Sequence, residues 1–508
     1  MEKYLITIFV SICLATTLKA QQNSLIWGDT FDQTINLPYN TEDSYYDCTA
    51  RFLGAETQTN ATFWMNKRNI NRVSNDGKFI LTRLDATNKL IFSKDLQLLD
   101  FPEKNESVFL SIEEIVMLED KFVVLLRVYN KKIGVYAFYL HEITFDGNLT
   151  ARSVKVTELK YKFNLVENDI ILSPDKASIL VSIKKDIFED HYYALLVVNT
   201  DLSIIYYKEL RNKITNSKNI QESECMLYSP ISNVKVSIDN AHRVFFLASN
   251  LLLKNRRLAT VLFWYSPQQD EFKEMVLDLG ENIEIDASVI RMNASGSCMI
   301  YGFYRHIDNN TMQLAGSFSL SPDLDSDTFI LKQKEITFGK GSAIPLLTCI
   351  AKEDGGIFLF YEHMIYGSKD EHGSKGELYI VSYNKDSEIE YQTVVYKKQK
   401  VFYAMGGYVA LYDPLSDKLS IIFNDLRENA YINHPKAESL YKQQDAVPVI
   451  ACIDSAGNVK KKLLLDRKNI SGTFLCPFMA TQCAVNAVEI WGYEDKKKYR
   501  VGKLVIAE

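Results

Sequence analysis

The sequence predicts an all-β fold, a β-propeller of four-stranded blades, and three observations carry that prediction. A phrase of two apolar strands joined by a tight turn recurs along the chain. Each copy is followed by a hairpin whose turn is rich in Asp, Asn, Gly and Pro, residues that accept turn geometry at low cost. The second strand of each copy is apolar without alternation. A strand with one wet face alternates, whereas a continuous apolar run marks a strand covered on both faces, as between stacked blades.

The first half of the unit reads Ile115 to Leu118, Glu119-Asp120, then Phe122 to Leu126. It returns as Ile170 to Leu172 with Ile179 to Val181, and as Val234 to Val236 with Val244 to Leu247. Later copies are Val289 to Met292 with Met299 to Tyr301, Leu346 to Thr348 with Ile357 to Phe360, and Tyr408 to Leu411 with Leu419 to Phe423. The last pairs Met479 to Thr481 with Val488 to Trp491. The second half is the hairpin: Phe79 to Leu84 turning at Asp85 to Asn88, Tyr136 to Leu140 at Asp146-Gly147, Leu195 to Val198 at Thr200-Asp201, and Val261 to Tyr265 at Pro267. Leu378 to Tyr383 turns at Lys385-Asp386, and Val449 to Ile453 at Ala456-Gly457.

Four strands thus occupy roughly 60 residues, longer than most propeller repeats. About eight units fit between Tyr45 and Glu508. The final unit supplies three strands, and Leu25 to Thr34 is expected to supply the fourth, so that no sheet edge stays exposed. Seven blades is the alternative, with Tyr45 to Leu98 as an accessory sheet.

Residues 1–20 have a short charged start, an apolar stretch from Tyr4 to Leu18 and Lys19-Ala20, the pattern of a secretory signal peptide cut after Ala20. Residues 21–508 are then one propeller domain. Cys13 lies inside the apolar stretch and follows Ile12, which does not fit a lipoprotein signal. Every later apolar run is broken by charge, so no transmembrane segment is expected. Cleavage removes two lysines and one glutamate, taking the formal net charge from −6 to −7. That balance argues against a nucleic-acid partner, which needs a basic surface. Lys460 to Lys462 and Lys496 to Lys498 read as a solvated strand face and hairpin tip.

Seven cysteines remain after cleavage, without CxxC spacing, and most sit among apolar strand residues as small buried hydrophobes. Cys476 and Cys483 are close enough in sequence for one disulfide, which is left open. Six Asn-x-Ser/Thr sites, at Asn60, Asn105, Asn148, Asn293, Asn309 and Asn469, are glycosylation acceptors only in a eukaryotic source.

In a propeller the connections between strands two and three, and from blade to blade, share one face. The long polar insertions Asn66 to Asn75, 211–228, 366–376 and 425–446 all fall into those classes. Long loops on a rigid scaffold are where binding sites gather. Candidate binding residues on this face are Glu362, His363, Asp370, Glu371 and His372, with Tyr431 and His434 from the charged, partly helix-compatible segment Arg427 to Gln444.

The Glu362 to His372 group contains metal-ligand types, but not the H-E-x-x-H spacing that puts two imidazoles on one helical face, and no metal is assigned. Asp323, Asp325 and Asp327 resemble a calcium loop, yet Thr328 stands where its glycine belongs and Lys334 where its glutamate belongs, so a turn is expected. No G-x-S-x-G elbow or glycine-rich phosphate loop is present, so no catalytic residue and no cofactor are assigned.

WD40 Trp-Asp endings, sialidase Asp-boxes and recurrent kelch glycine doublets are absent. The Ala20-Gln21 end of the signal peptide, and hairpins such as Leu84-Asp85-Ala86-Thr87-Asn88 before a Lys-rich strand, resemble the uncharacterised exported propeller-like proteins of the Bacteroidota. That resemblance implies a secreted, periplasmic or outer-envelope location and supplies no activity. The expected function is a non-catalytic binding or scaffold role, the long-loop face holding a protein or glycan. The rival is a polysaccharide hydrolase with two carboxylates in the central funnel, about 5 to 9.5 Å apart.

Overall fold

Pairing within the sheets follows chain order, which is how four consecutive strands become one blade. The computed structural model describes residues 23–27, 31–32, 48–56, 58–69, 77–96, 99–160, 166–187, 190–211, 234–252, 258–280, 282–293, 295–306, 314–326, 328–335, 346–365, 374–397, 399–400, 407–432, 446–466, 473–495 and 498–506.

Blade 1 is β3 (Cys48–Ala55), β4 (Thr62–Asn69), β5 (Gly77–Leu84) and β6 (Leu90–Asp95). Blade 2 is β7 (Val108–Met117), β8 (Lys121–Asn130), β9 (Val135–Thr144) and β10 (Leu149–Lys160). Blade 3 is β11 (Val166–Leu172), β12 (Ser178–Ile187), β13 (Asp190–Asn199) and β14 (Ile204–Arg211). Blade 4 is β15 (Val234–Ile238), β16 (Val244–Leu252), β17 (Leu258–Ser266) and β18 (Glu271–Leu277). Blade 5 is β19 (Ile283–Met292), β20 (Cys298–His306), β21 (Leu314–Asp323) and β22 (Thr328–Glu335).

Blade 6 is β23 (Leu346–Ala351), β24 (Ile357–Ile365), β25 (Ser374–Tyr383) and β26 (Ile389–Val395), with the short β27 (Gln399–Lys400) added to β25. Blade 7 is β28 (Val409–Asp413), β29 (Lys418–Leu426), β30 (Ala446–Ile453) and β31 (Val459–Leu463). Blade 8 is β32 (Phe474–Ala484), β33 (Ala487–Asp495) and β34 (Lys498–Val505), and its fourth strand is β1 (Ser24–Trp27), with β2 (Phe31–Asp32) on the same edge. Eight blades form the propeller, and residues 48–95 are a full blade of it rather than an accessory sheet.

The core is divided among the blade interfaces. Seven apolar clusters each join a consecutive pair of blades, from blades 1 and 2 to blades 7 and 8. The eighth junction is made by Trp64 and Trp491, edge to face with centroids 5.6 Å apart, and by Trp64 Nε1 donating to Glu489 at 3.3 Å. The ring is therefore closed by packing at every junction. Second strands carry most of this burial: Phe122 to Leu126 are fully buried. Fully burying one such side chain stabilises by about 1.5–3 kcal/mol. Fourth strands alternate, as in β31, where Lys460 and Lys462 are exposed.

β1 closes the ring by pairing with β34. Trp27 lies across Gly492 and Gly502, and a Cβ at residue 502 would stand 2.6 Å from the indole. The hairpins share one device, an Asx turn closed by a residue in the left-handed region. Asp239 accepts from Ala241 N at 3.0 Å and Arg243 N at 2.8 Å, and His242 has φ 62°. Asn384 does the same for Asp386 and Glu388, with Ser387 at φ 60°. Asp323 accepts from Asp325 N at 3.1 Å and Ser326 Oγ at 2.7 Å, so Asp323 to Ser326 form a turn, while Asp327 lies outside the described residues.

Strands reach further into the polar insertions than apolar content suggests. Asn66 to Asn69 continue β4, and Ser374 to Gly376 begin β25. Cys476 and Cys483 are free thiols on the single strand β32. Despite the bulges of β32, their places in the sheet, opposite Trp491 and opposite the step from Val488 to Ala487, are three to four residues apart on β33, roughly 10–13 Å, which keeps the sulfurs beyond bridging distance.

Candidate functional site

Antiparallel order fixes which connections share a face. The hairpin turns joining strands one to two and three to four leave from one end of each blade; two-three and blade-to-blade connections leave from the other. Connections 70–76, 212–233, 366–373 and 427–445 join β4 to β5, β14 to β15, β24 to β25 and β29 to β30, so all attach at the second end.

Glu362 is the last residue of β24 in continuous register with β25, and it is fully buried. Its carboxylate takes a 2.5 Å bond from Lys397 Nζ, also buried. Lys397 further donates to Gln399 Oε1 at 3.0 Å, which also accepts from Gly407 N at 3.1 Å. Gln399 Nε2 donates to Asn424 O at 2.6 Å, and Asn424 Nδ2 to Leu475 O at 2.9 Å. One hydrogen-bonded chain thus runs beneath this face from blade 6 through blade 7 to blade 8. Glu362 is a strut in it, not a group presented to solvent.

His363 follows on β24. Asp370, Glu371, His372 and His434 lie outside the described residues. Tyr431 ends a 3₁₀ turn, Arg427–Tyr431, and is 67% exposed. The turn is anchored from below: Asn429 Nδ2 donates to Asp425 Oδ1 at 2.9 Å, and Arg427 pairs with Asp466 at 2.6 Å. Burial pushes the Asp425 carboxyl above the usual carboxylate range, against the pull of its Asn429 and Leu426 hydrogen bonds and of Lys461 and Lys397. Burial likewise lowers the Lys461 ammonium, against the pull of Asp425, while its Nζ donates to Tyr396 O at 3.0 Å. Lys461 is thus half-buried and engaged, where the sequence suggested a solvated lysine.

Sequence reasoning also missed the charged groups of the first strands. β7 and β19 each carry a bulge, at Glu113 and Asp286. A bulge leaves one residue unpaired and re-aims its side chain. In both cases that residue is a carboxylate met by an arginine of the second strand. Glu113 pairs with Arg127 at 3.0 Å and accepts from Ser111 Oγ at 2.6 Å and, across the blade junction, from Asn168 Nδ2 at 3.2 Å. Asp286 lies 3.6 Å from Arg305, which binds Glu284 at 3.0 Å, and accepts from Tyr361 of blade 6 at 3.3 Å. Glu114 is held by Arg51 of blade 1 at 2.7 Å. Burial raises the Asp286 carboxyl although Arg305 opposes the shift, and burial beside Asp286 raises the Tyr361 hydroxyl. The signal in the sequence was charge within otherwise apolar first strands.

Among the described residues no group of three or more His, Cys, Asp or Glu side chains is placed to hold a metal ion. No helix there is long and apolar enough to cross a membrane.

No family model matches the chain, and no curated protein does. Solved structures similar to it include the WD40 domain of SCAP from fission yeast, 9% identical, covering 94% of this chain and 98% of that one, with a TM-score of 0.31. Prolyl oligopeptidase B from Galerina marginata is 10% identical, with 91% of this chain and 56% of that one covered and a TM-score of 0.39. The β-propeller domain of the Trilobed protease from Pyrococcus furiosus is 12% identical, with 71% and 97% covered and a TM-score of 0.30. At these values the likeness is one of outline; the blade count rests on the strand pairing itself.

Proposed function

We propose that the protein is an exported, non-catalytic binding or scaffold protein of the bacterial cell envelope or its surroundings, holding a protein or glycan on its long-loop face. The observation that carries this reading is the attachment of the four long connections to one end of a ring packed at all eight junctions. Loops on a rigid frame are the usual place of recognition. The signal-peptide pattern of residues 1–20 and the resemblance to exported propeller-like proteins of the Bacteroidota support the location. Replacing residues 366–373 with a short Gly-Ser linker and comparing partners captured from an envelope extract tests it. A changed partner set is expected; an unchanged one counts against this face.

One observation favours the hydrolase reading: Glu284 and Asp286 meet at Arg305, with the Asp286 carboxyl raised by burial. Against it, Glu113, Glu114, Glu284 and Asp286 each face an arginine, which commits them to ion pairs.

A further inference from the structure

Asp425 stands next to the end of β29, and Asn429 is the third residue of the turn Arg427–Tyr431; both are fully buried. Asp425 Oδ1 takes two hydrogen bonds, from Leu426 N at 2.8 Å and from Asn429 Nδ2 at 2.9 Å. Asp425 Oδ2 and Asn429 Oδ1 are also enclosed, and neither has a donor. Both are acceptors, so an ionised carboxylate and an amide carbonyl cannot satisfy each other. Buried acceptors are nearly always satisfied, and a carboxyl group can meet that need with its own proton.

The charged groups packed around Asp425 are committed elsewhere. Lys461 of β31 gives its Nζ to Tyr396 O at 3.0 Å, and Lys397 gives its Nζ to Glu362 and Gln399. On the turn itself Arg427 pairs with Asp466 at 2.6 Å and Glu428 is exposed, while β30 sets the apolar Val447 opposite Asp425. Burial holds the Asp425 carboxyl above its ordinary range, against the pull of Asn429, Leu426, Lys461 and Lys397. Little else secures the turn. It has no capping side chain, and the bond that ends it, Ile432 N to Asn429 O, is long at 3.4 Å. Arg427 with Asp466 is an exposed pair, which contributes little. Ala430 buries only a methyl group, in the cluster between blades 6 and 7. Asn429 on Asp425 is therefore the principal anchor.

We propose that this anchor is a proton latch: Asp425 carries a proton that it donates to the Asn429 carbonyl oxygen, and loss of that proton to solvent frees the turn and, with it, Tyr431 on the long-loop face. As a regulation of binding the latch rests on the reading of that face as a binding face; as a device of the fold it does not. The folded state holds this proton more tightly than the unfolded chain, whose carboxyl titrates near 3.8. The latch's contribution is therefore complete below 3.8 and is lost as pH rises through the raised folded value. Tyr431 is then held in place in acid and released toward alkaline pH.

Tyr431→Trp in the full chain exchanges one exposed ring for another and places a reporter at the end of the turn. Acrylamide quenching of its emission, taken as the difference from the parent chain, is followed from about pH 4 to about pH 9. The quenching should change in one single-proton step about two pH units wide. Asp425→Asn puts an amide donor where the proton would sit and should hold the acid-side value throughout, whereas Asn429→Ala should hold the alkaline-side value throughout. Urea unfolding gives an independent reading, in which Asp425→Asn gains stability relative to the parent as pH rises. No step in the reporter chain, a step that persists in Asp425→Asn, or a stability difference that does not vary with pH would each overturn the latch. The partners captured after the 366–373 replacement decide the binding reading separately.

Discussion

Replacing Glu362 by glutamine should cost about 3–5 kcal/mol of stability, because it removes one partner of a fully buried ion pair and leaves the other in place. Against a typical total of about 5–15 kcal/mol that is a severe loss. The Lys397 ammonium keeps its 3.0 Å bond to Gln399 but loses the carboxylate at 2.5 Å. Replacing both partners with apolar residues, Glu362→Leu with Lys397→Met, removes the uncompensated charge. It should fall between neutral and about 4 kcal/mol more stable, less about 1–3 kcal/mol if Gln399 is left short of a partner. Gly407 N still donates to Gln399, which limits that loss. The pair should thus show a coupling of about 3 kcal/mol in a double-mutant cycle. Urea unfolding followed by tryptophan fluorescence, with recovery on dilution as a control, reads these values. If Glu362→Gln cost less than about 1 kcal/mol, the range of an exposed pair, the burial argument would be wrong. If it abolished partner capture at full stability, Glu362 would be a recognition residue after all.

Trp64→Ala should cost about 3–5 kcal/mol, as much as Trp264→Ala between blades 4 and 5, since both indoles are nearly fully buried; a loss below about 1 kcal/mol in urea unfolding would mean that blades 1 and 8 do not close the ring. Hydrogen bonds from turn side chains and amides hold Asp85, Asp175, Asp201, Asp323, Asp413 and Asp454 below the ordinary carboxylate value of 3.8. Their contribution is complete above 3.8 and is lost as pH falls through the depressed folded values. Changing all six to Asn, which retains an acceptor oxygen, should flatten the fall in melting temperature below pH 4.5; an unflattened profile would move the acid sensitivity elsewhere. Incubation with xylan, β-1,3-glucan, mannan or galactan should release no new reducing ends, and release lost in both Glu284→Gln and Asp286→Asn would establish the hydrolase reading instead.

The features legible in the sequence are those set by local chemistry. Asp239 to Arg243 announces its turn because the Asp side chain bonds amides two and four residues on, and a turn repeated in hairpin after hairpin discloses the blade. The fourth strand of blade 8 was legible through a deficit, three strands where the others have four. What escaped notice depends on relations between distant segments. Asn66 to Asn69 are strand because β5 pairs with them, not because asparagine and lysine prefer it. A bulge at Glu113 or Asp286 is a mismatch between two strands and leaves no mark on either alone. Glu362 looked like the edge of a polar loop because His363 and the insertion follow it, yet five apolar residues, Ile357 to Tyr361, precede it in a strand covered on both faces. In that setting an acid must find a counter-charge, and the one it finds is 35 residues away, past a further hairpin.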